Sequence, residues 1–195
     1  WMQVVSMKLF GVGEYAARFP NAVCGIITLV LLYRWGRQLW DEKMGLLWAG
    51  VYLGSILTHL YFKSGIIDPW FNLFIYLSSY QFIQFLWKRN LICCLYLGRS
   101  SLSYLIFAGL WMGLALLTKG PTAFLVFVLI ALVYWALSRF RNLISWWQVL
   151  LISFLAGLPS MLWYGVEVLR QGPQFLIDFV EYLFRLASTE DAGHG

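Results

Sequence analysis

The sequence predicts an all-α protein: a polytopic transmembrane helical bundle with about six spans and interfacial amphipathic helices. Three observations predict it. The 195 residues are 61% hydrophobic and only 12% charged, with a mean hydropathy of +0.72. A soluble domain is nearer half apolar and a quarter charged, so this chain has too little polar surface to cover a water-soluble globule. The apolar residues fall in separate runs, several close to the roughly 20 residues that a helix needs to cross a bilayer. The charges collect at the ends of those runs, where helix ends meet headgroups. Lipid offers no water to backbone groups, so each run is read as a helix that satisfies its own.

Residues 1–19 form a leading interfacial segment. Trp1, Val4, Val5 and Leu9 share one helical face, as in a helix lying in the membrane interface, and Gly11 and Gly13 end it. Glu14 and Arg18 stand four apart, in the order that favours a helical ion pair. Six apolar segments follow over residues 20–168: Pro20 to Trp35, Met44 to Phe62, Trp70 to Trp87, Leu102 to Leu117, Pro121 to Leu137 and Trp146 to Val168. The run Leu91 to Leu97 is too short to span and is placed in a loop or a helix extension. In residues 169–195, Phe175, Leu176, Phe179, Val180, Leu183 and Phe184 recur at helical spacing, with Asp178, Glu181 and Arg185 opposite. That pattern reads as an amphipathic helix on the membrane surface, followed by a polar loop that holds Glu190, Asp191 and His194. The chain starts at a Trp and stops within this loop, so it is read as an internal piece of a longer protein.

Six crossings put both ends on one side and sort the charges into two faces. The face with Arg34, Arg37, Lys43 and Lys88 holds eight cations and two acids; the face with Asp68 and Lys119 holds six cations and seven acids. The excess of Lys and Arg makes the first face the cytoplasmic one. The pI of about 9.2 reflects these flanking cations, and no basic run points to nucleic acid. Cys24, Cys93 and Cys94 lie in or beside apolar segments without Cys-x-x-Cys spacing, which suggests neither a metal site nor a disulfide framework. Walker-type, Ser-His-Asp and His-Glu-x-x-His patterns are absent from the sequence. Any catalysis must then take place on the extracytoplasmic face, on a substrate that arrives through the membrane.

The chain is organised around the polar hinge from Lys63 to Trp70. Asp-Pro is a helix start, with Asp68 as N-cap and Pro69 at the first helical position; Asp68 is equally a carboxylate placed to work as a base at a membrane surface. Lys119 sits in Leu-Thr-Lys-Gly-Pro between the fourth and fifth segments. It reads either as a snorkelling lysine in a tight hairpin or as an anion contact. In the second case Gly120 permits close backbone approach, and Pro121 opens a helix whose positive end faces the loop. Arg18 and Arg185 suit phosphate but also suit pairing with Glu14 and Glu181. His194, with Glu190 and Asp191, is either a solvated loop residue or part of a divalent-metal site. His59 is read as a packed histidine within its span.

Several of these stretches carry a resemblance. The run from Lys8 through Gly11, Gly13, Glu14 and Arg18 to Pro20 resembles a hallmark of membrane glycosyltransferases of the GT-C type. The nearest branch is the aminoarabinose and protein O-mannosyl transferase group (ArnT/PMT-like). Tyr33 to Leu39 is similar to that group's cytoplasmic turn, Gly65 to Trp70 to its second acidic site, Leu117 to Pro121 to its Thr-Lys-Gly-Pro hairpin, and Gly193 to Gly195 to its second large periplasmic loop. The matches run in family order over nearly the whole chain. The resemblance implies an enzyme of the inner membrane that moves a sugar from a polyprenyl-phosphate carrier to a lipid or protein acceptor on the periplasmic face. It implies Asp68 as a catalytic carboxylate, Lys119, Arg18, Arg185 and Lys63 as contacts for the carrier phosphate, and His194 at a loop position that binds metal. The family's first acidic motif precedes the stretch that Trp1 opens, so the piece alone is expected to be inactive.

Two rivals compete with this reading. A transporter predicts charges deep within spans or paired broken helices, whereas these charges sit at span ends. A non-catalytic scaffold predicts that Asp68→Asn is tolerated in the intact protein.

Overall fold

The computed structural model describes residues 2–63, 66–91, 99–120, 122–137 and 145–172, together with the single positions 174 and 181. Among these residues the protein is all-helical: α1 (Met2–Phe10), α2 (Glu14–Leu39), α3 (Glu42–Gly54), α4 (Ile56–Lys63), α5 (Asp68–Leu91), α6 (Arg99–Lys119), α7 (Thr122–Leu137) and α8 (Trp146–Gln171). The helices of the expected segments alternate in direction. Asn21 meets Ile66 near the start of α2 and Gln38 meets Tyr80 far along α5, so α2 and α5 run the same way. Ser78 bonds Ala108 and Lys88 bonds Tyr104, so α6 returns antiparallel to α5. Gly109 faces Ile152 and Leu155 while Gly113 faces Ala156 and Pro159, so α8 runs parallel to α6. The core lies between α5, α6, α7 and α8 and includes Phe82, Phe85, Leu105, Met112 and Phe127.

Among the described residues three helices, Glu14–Leu39, Leu102–Lys119 and Trp146–Arg170, are long and apolar enough to cross a membrane; Thr122–Leu137 is a shorter apolar helix. Two expectations need correction. The second segment is two helices rather than one. After Gly54, Ser55 leaves helical geometry at φ −72°, ψ 126° and caps α3, and α4 begins anew. A Gly-Ser pair is a recurrent place for a helix to break. The first segment does not begin at Pro20, because α2 starts at Glu14 and runs through a buried Pro20. The proline removes one backbone donor, a loss that a packed helix tolerates.

Short-range chemistry sets the helix ends. Gly11, at φ 81°, closes α1 after Phe10. Asp41 caps α3 by accepting from the Met44 N–H at 2.7 Å. α8 begins beyond Ser145, whose N–H donates to Gln148 Oε1 at 3.0 Å. α1 packs on α2 through a ring cluster of Phe10, Tyr15 and Phe19. The outward faces remain apolar: Leu150, Phe154, Met161 and Leu169 of α8 are all more than half exposed. Water would penalise such a surface, and acyl chains do not.

Candidate functional site at the Asp68–Lys119 rim

The start of α5 and the end of α6 meet at one end of the bundle, and there Asp68 Oδ1 pairs with Lys119 Nζ. The pair joins residues 51 positions apart; the side chains are 21% exposed for Asp68 and 40% for Lys119, while the Asp68 Oδ1 atom itself is buried. The Lys119 ammonium also stands 5.2 Å from the centroid of the buried Phe71 ring, a cation–π distance. An ammonium has three donors and Asp68 takes one, so Lys119 keeps hydrogen-bonding capacity toward the surface.

Local folding explains the placement. The Ile67 carbonyl accepts from Phe71 N–H at 3.2 Å, which makes Ile67 the cap and Asp68 the first helical residue. The expectation that Asp68 itself caps α5 is therefore off by one residue. Its carboxylate is committed to Lys119 and sits in the first turn, where the helix dipole favours an anion. Gly120 ends α6 at φ 68°, its N–H donating to the Leu116 carbonyl at 2.7 Å. A Cβ at Gly120 would meet nothing within 4 Å. Glycine is thus needed for its left-handed backbone, not for close approach. The Thr122 hydroxyl then donates to the Lys119 carbonyl at 3.0 Å and steadies the turn. Pro121 lies outside the described residues.

Beside the pair is a cavity of about 410 Å³. Ile67 and Thr118, the chain neighbours of Asp68 and Lys119, line it, with Trp70, Phe74 and Trp163 among its apolar walls. Asn21 also lines it and anchors the hinge by donating from Nδ2 to the Ile66 carbonyl at 2.7 Å. Trp70 contributes an indole N–H that is buried without an acceptor. The arrangement is a mostly apolar hollow whose lining includes the chain neighbours of the ion pair but neither Asp68 nor Lys119.

The other candidates fall elsewhere. Arg18 pairs with Glu14 at 3.3 Å on an exposed face of α2, as the spacing alone allows, and this contact does not include the rim pair. Lys63 ends α4, exposed, and lines a separate cavity with Phe62 and His59. His59 is exposed rather than packed inside a span, because α4 turns that edge outward. Arg185, His194, the amphipathic pattern over residues 175–184 and the run 92–97 lie outside the described residues. Among the described residues no group of three or more His, Cys, Asp or Glu side chains is placed to hold a metal. Sequence reasoning did not single out Asn21, Trp70 or Thr118. The available signal was a polar residue inside an apolar run, as Asn21 is; Thr118 lies just past the run that ends at Leu117, within the Leu-Thr-Lys-Gly-Pro hairpin.

An all-helical chain with apolar, lipid-compatible outer faces defines an integral membrane protein. Residues 1–163 match the family profile described as dolichyl-phosphate-mannose-protein mannosyltransferase, and the chain belongs to that family. It is similar over its full length to proteins named undecaprenyl phosphate-alpha-4-amino-4-deoxy-L-arabinose arabinosyl transferase. Identity is 28% to that of Erwinia tasmaniensis and 26% to that of Photorhabdus laumondii, and each alignment covers 34% of the relative. A Pseudomonas fluorescens protein of the same name, numbered 1, is 29% identical, again with 34% covered. The chain thus spans about a third of the length of these relatives. No solved structure matches it.

Proposed function

We propose that this chain forms part of a glycosyltransferase of the inner membrane that takes a sugar from a polyprenyl-phosphate carrier and passes it to a lipid or protein acceptor on the periplasmic face. In this reading α2, the broken α3–α4 pair, α5, α6, α7 and α8 make six crossings, supported by their alternating directions. The relatives' names point to an undecaprenyl-phosphate-linked aminoarabinose as the donor; the family description points to dolichyl-phosphate-mannose. The shared chemistry is a lipid phosphate as leaving group.

The Asp68–Lys119 pair carries the proposal. Sugar transfer needs a carboxylate to orient or deprotonate an acceptor hydroxyl, and a cation to receive charge on the departing phosphate. Asp68 supplies the first. Lys119 supplies the second, held by Asp68 until the phosphate arrives and retaining donors to meet it. The cavity beside the pair takes the apolar part of the carrier near its head, and Asn21 keeps the hinge that presents Asp68. Arg18, Lys63, Arg185 and His194 stay in the proposal as secondary contacts, with no described approach to the pair.

The test is transfer of labelled sugar from the lipid carrier by the full-length protein. Asp68→Asn keeps the shape and removes the charge, and Lys119→Gln removes the cation. Each is expected to lower turnover by about a hundredfold or more. Turnover within threefold of the unmodified protein for Asp68→Asn would discard the catalytic role and favour a scaffold.

A further inference from the structure

A second cavity, of about 810 Å³, lies at the opposite end of α2 and α5, and sugar transfer at the rim makes no use of it. Arg34 and Arg37 line it with Trp35, Gln38, Tyr76 and Tyr80. The two arginines are exposed and stand three apart on α2, so they project to the same side. Lys88 of α5 is not among the lining residues; its ammonium donates to the Tyr104 hydroxyl at 2.7 Å. Among the described residues neither guanidinium pairs with an acid, since the ion pairs are Glu14–Arg18 and Asp68–Lys119. The nearby carboxylates are occupied. Asp41 caps α3, and Glu42 accepts from the Tyr33 hydroxyl at 3.1 Å. The Trp35 indole N–H is buried without an acceptor.

The cavity therefore holds a surplus of donors and positive charge and no anion of its own. Guanidinium forks suit an anion that offers several oxygens. The remaining wall is Tyr33, Val30 and Leu31, and the last two continue into the apolar body of α2. A ligand that is anionic at one end and apolar at the other matches both parts. Given that α2 spans the bilayer, the Arg34 end lies at the level of the leaflet opposite the Asp68–Lys119 rim.

We propose that the cavity lined by Arg34, Arg37 and Trp35 binds the phosphate headgroup of an anionic phospholipid in that opposite leaflet. Its acyl chains run along Val30 and Leu31, and the lipid fastens α2 to α5 at the end away from chemistry.

Native mass spectrometry of the full-length protein, released from nanodiscs of mixed phosphatidylglycerol and phosphatidylcholine, tests this. The unmodified protein is expected to retain phosphatidylglycerol in preference to phosphatidylcholine. The double variant Arg34→Gln, Arg37→Gln is expected to retain it about tenfold more weakly. The charge-keeping pair Arg34→Lys, Arg37→Lys should fall between the two, because it loses the bidentate geometry. Lys43→Gln removes an exposed cation at the same end that does not line the cavity, and it should retain lipid as the unmodified protein does. Unchanged retention in the glutamine pair, or an equal loss in Lys43→Gln, overturns the site. If millimolar inorganic phosphate strips phosphatidylglycerol from the unmodified protein, the site takes a soluble anion and the lipid assignment is overturned. Circular dichroism and gel filtration establish folding. Should the glutamine pair not fold, the lysine pair and the phosphate competition decide the matter.

Discussion

The two ends of this bundle are built by different means. At the Asp68–Lys119 end, polar side chains clasp segments far apart in sequence: the ion pair joins α5 to α6, and Asn21 pins the hinge at Ile66. At the Arg34 end, backbones approach closely and rings pack, Trp35 stacked on Trp48 and edge-on to Tyr76 and Tyr80. A Cβ at Gly36 would stand 2.7 Å from Gly45 Cα, and Trp35 packs on Trp48, Tyr76 and Tyr80 at centroid distances of 5.9, 5.0 and 4.9 Å. The difference teaches where function can reside. The α2–α3 contact at Gly36 and Gly45 leaves no room between backbones, while Trp35, Tyr76 and Tyr80 at the same end line a cavity, and the contact at the other end is an ion pair.

This contrast makes the far end sensitive to volume and the rim sensitive to polarity. The largest stability effect is expected from Gly36→Val. Its added carbons meet the Gly45 backbone, which cannot rotate away, so the α2–α3 hairpin should lose about 3 kcal/mol. Denaturant titration in detergent micelles reads this; a loss no greater than that of an exposed Gly50→Val control would show that the seam is looser than described. A smaller effect is expected at the rim from Asn21→Leu. It keeps the volume but removes the donor to Ile66, and should cost about 2 kcal/mol. Limited proteolysis should also cut faster between residues 63 and 68, and an unchanged cutting rate would remove Asn21 from its anchoring role. The smallest is Arg18→Gln. The pair with Glu14 is solvent-exposed, and its removal should shift stability by less than about 0.5 kcal/mol. A large loss of sugar transfer in that variant would instead bring Arg18 back to the site.

Much of this was legible in one dimension. Apolar runs bounded by charges located most of the helices, because lipid forces each buried backbone to bond within its own segment. The break at Ser55 was less legible, since Gly54 and Ser55 interrupt the helix without interrupting the hydropathy. The start of α2 ahead of Pro20 was hidden for the opposite reason: proline is a strong local stop that packing overrode. At the site, Asp68 and Lys119 were visible as charges at segment ends, and the family motifs paired them with one chemistry. Arg18 and Lys63 carried the same signal of charge at an end, yet one pairs locally and the other lines a different cavity. Residue type and position along a span do not state which way a side chain turns.

By itself, the order of residues determined that this chain lives in a membrane as helices, which of its charges sit at the helix ends, and to which kind of enzyme its motifs are similar. Those properties follow from composition and local periodicity, which act over one helix at a time. Only the tertiary structure decided that residues 68 and 119 meet, that Asn21 holds the hinge beside them, and that Arg34 and Arg37 line a cavity free of acids among the described residues. These depend on helix rotation and pairing. Packing sets both through contacts between residues far apart in the chain.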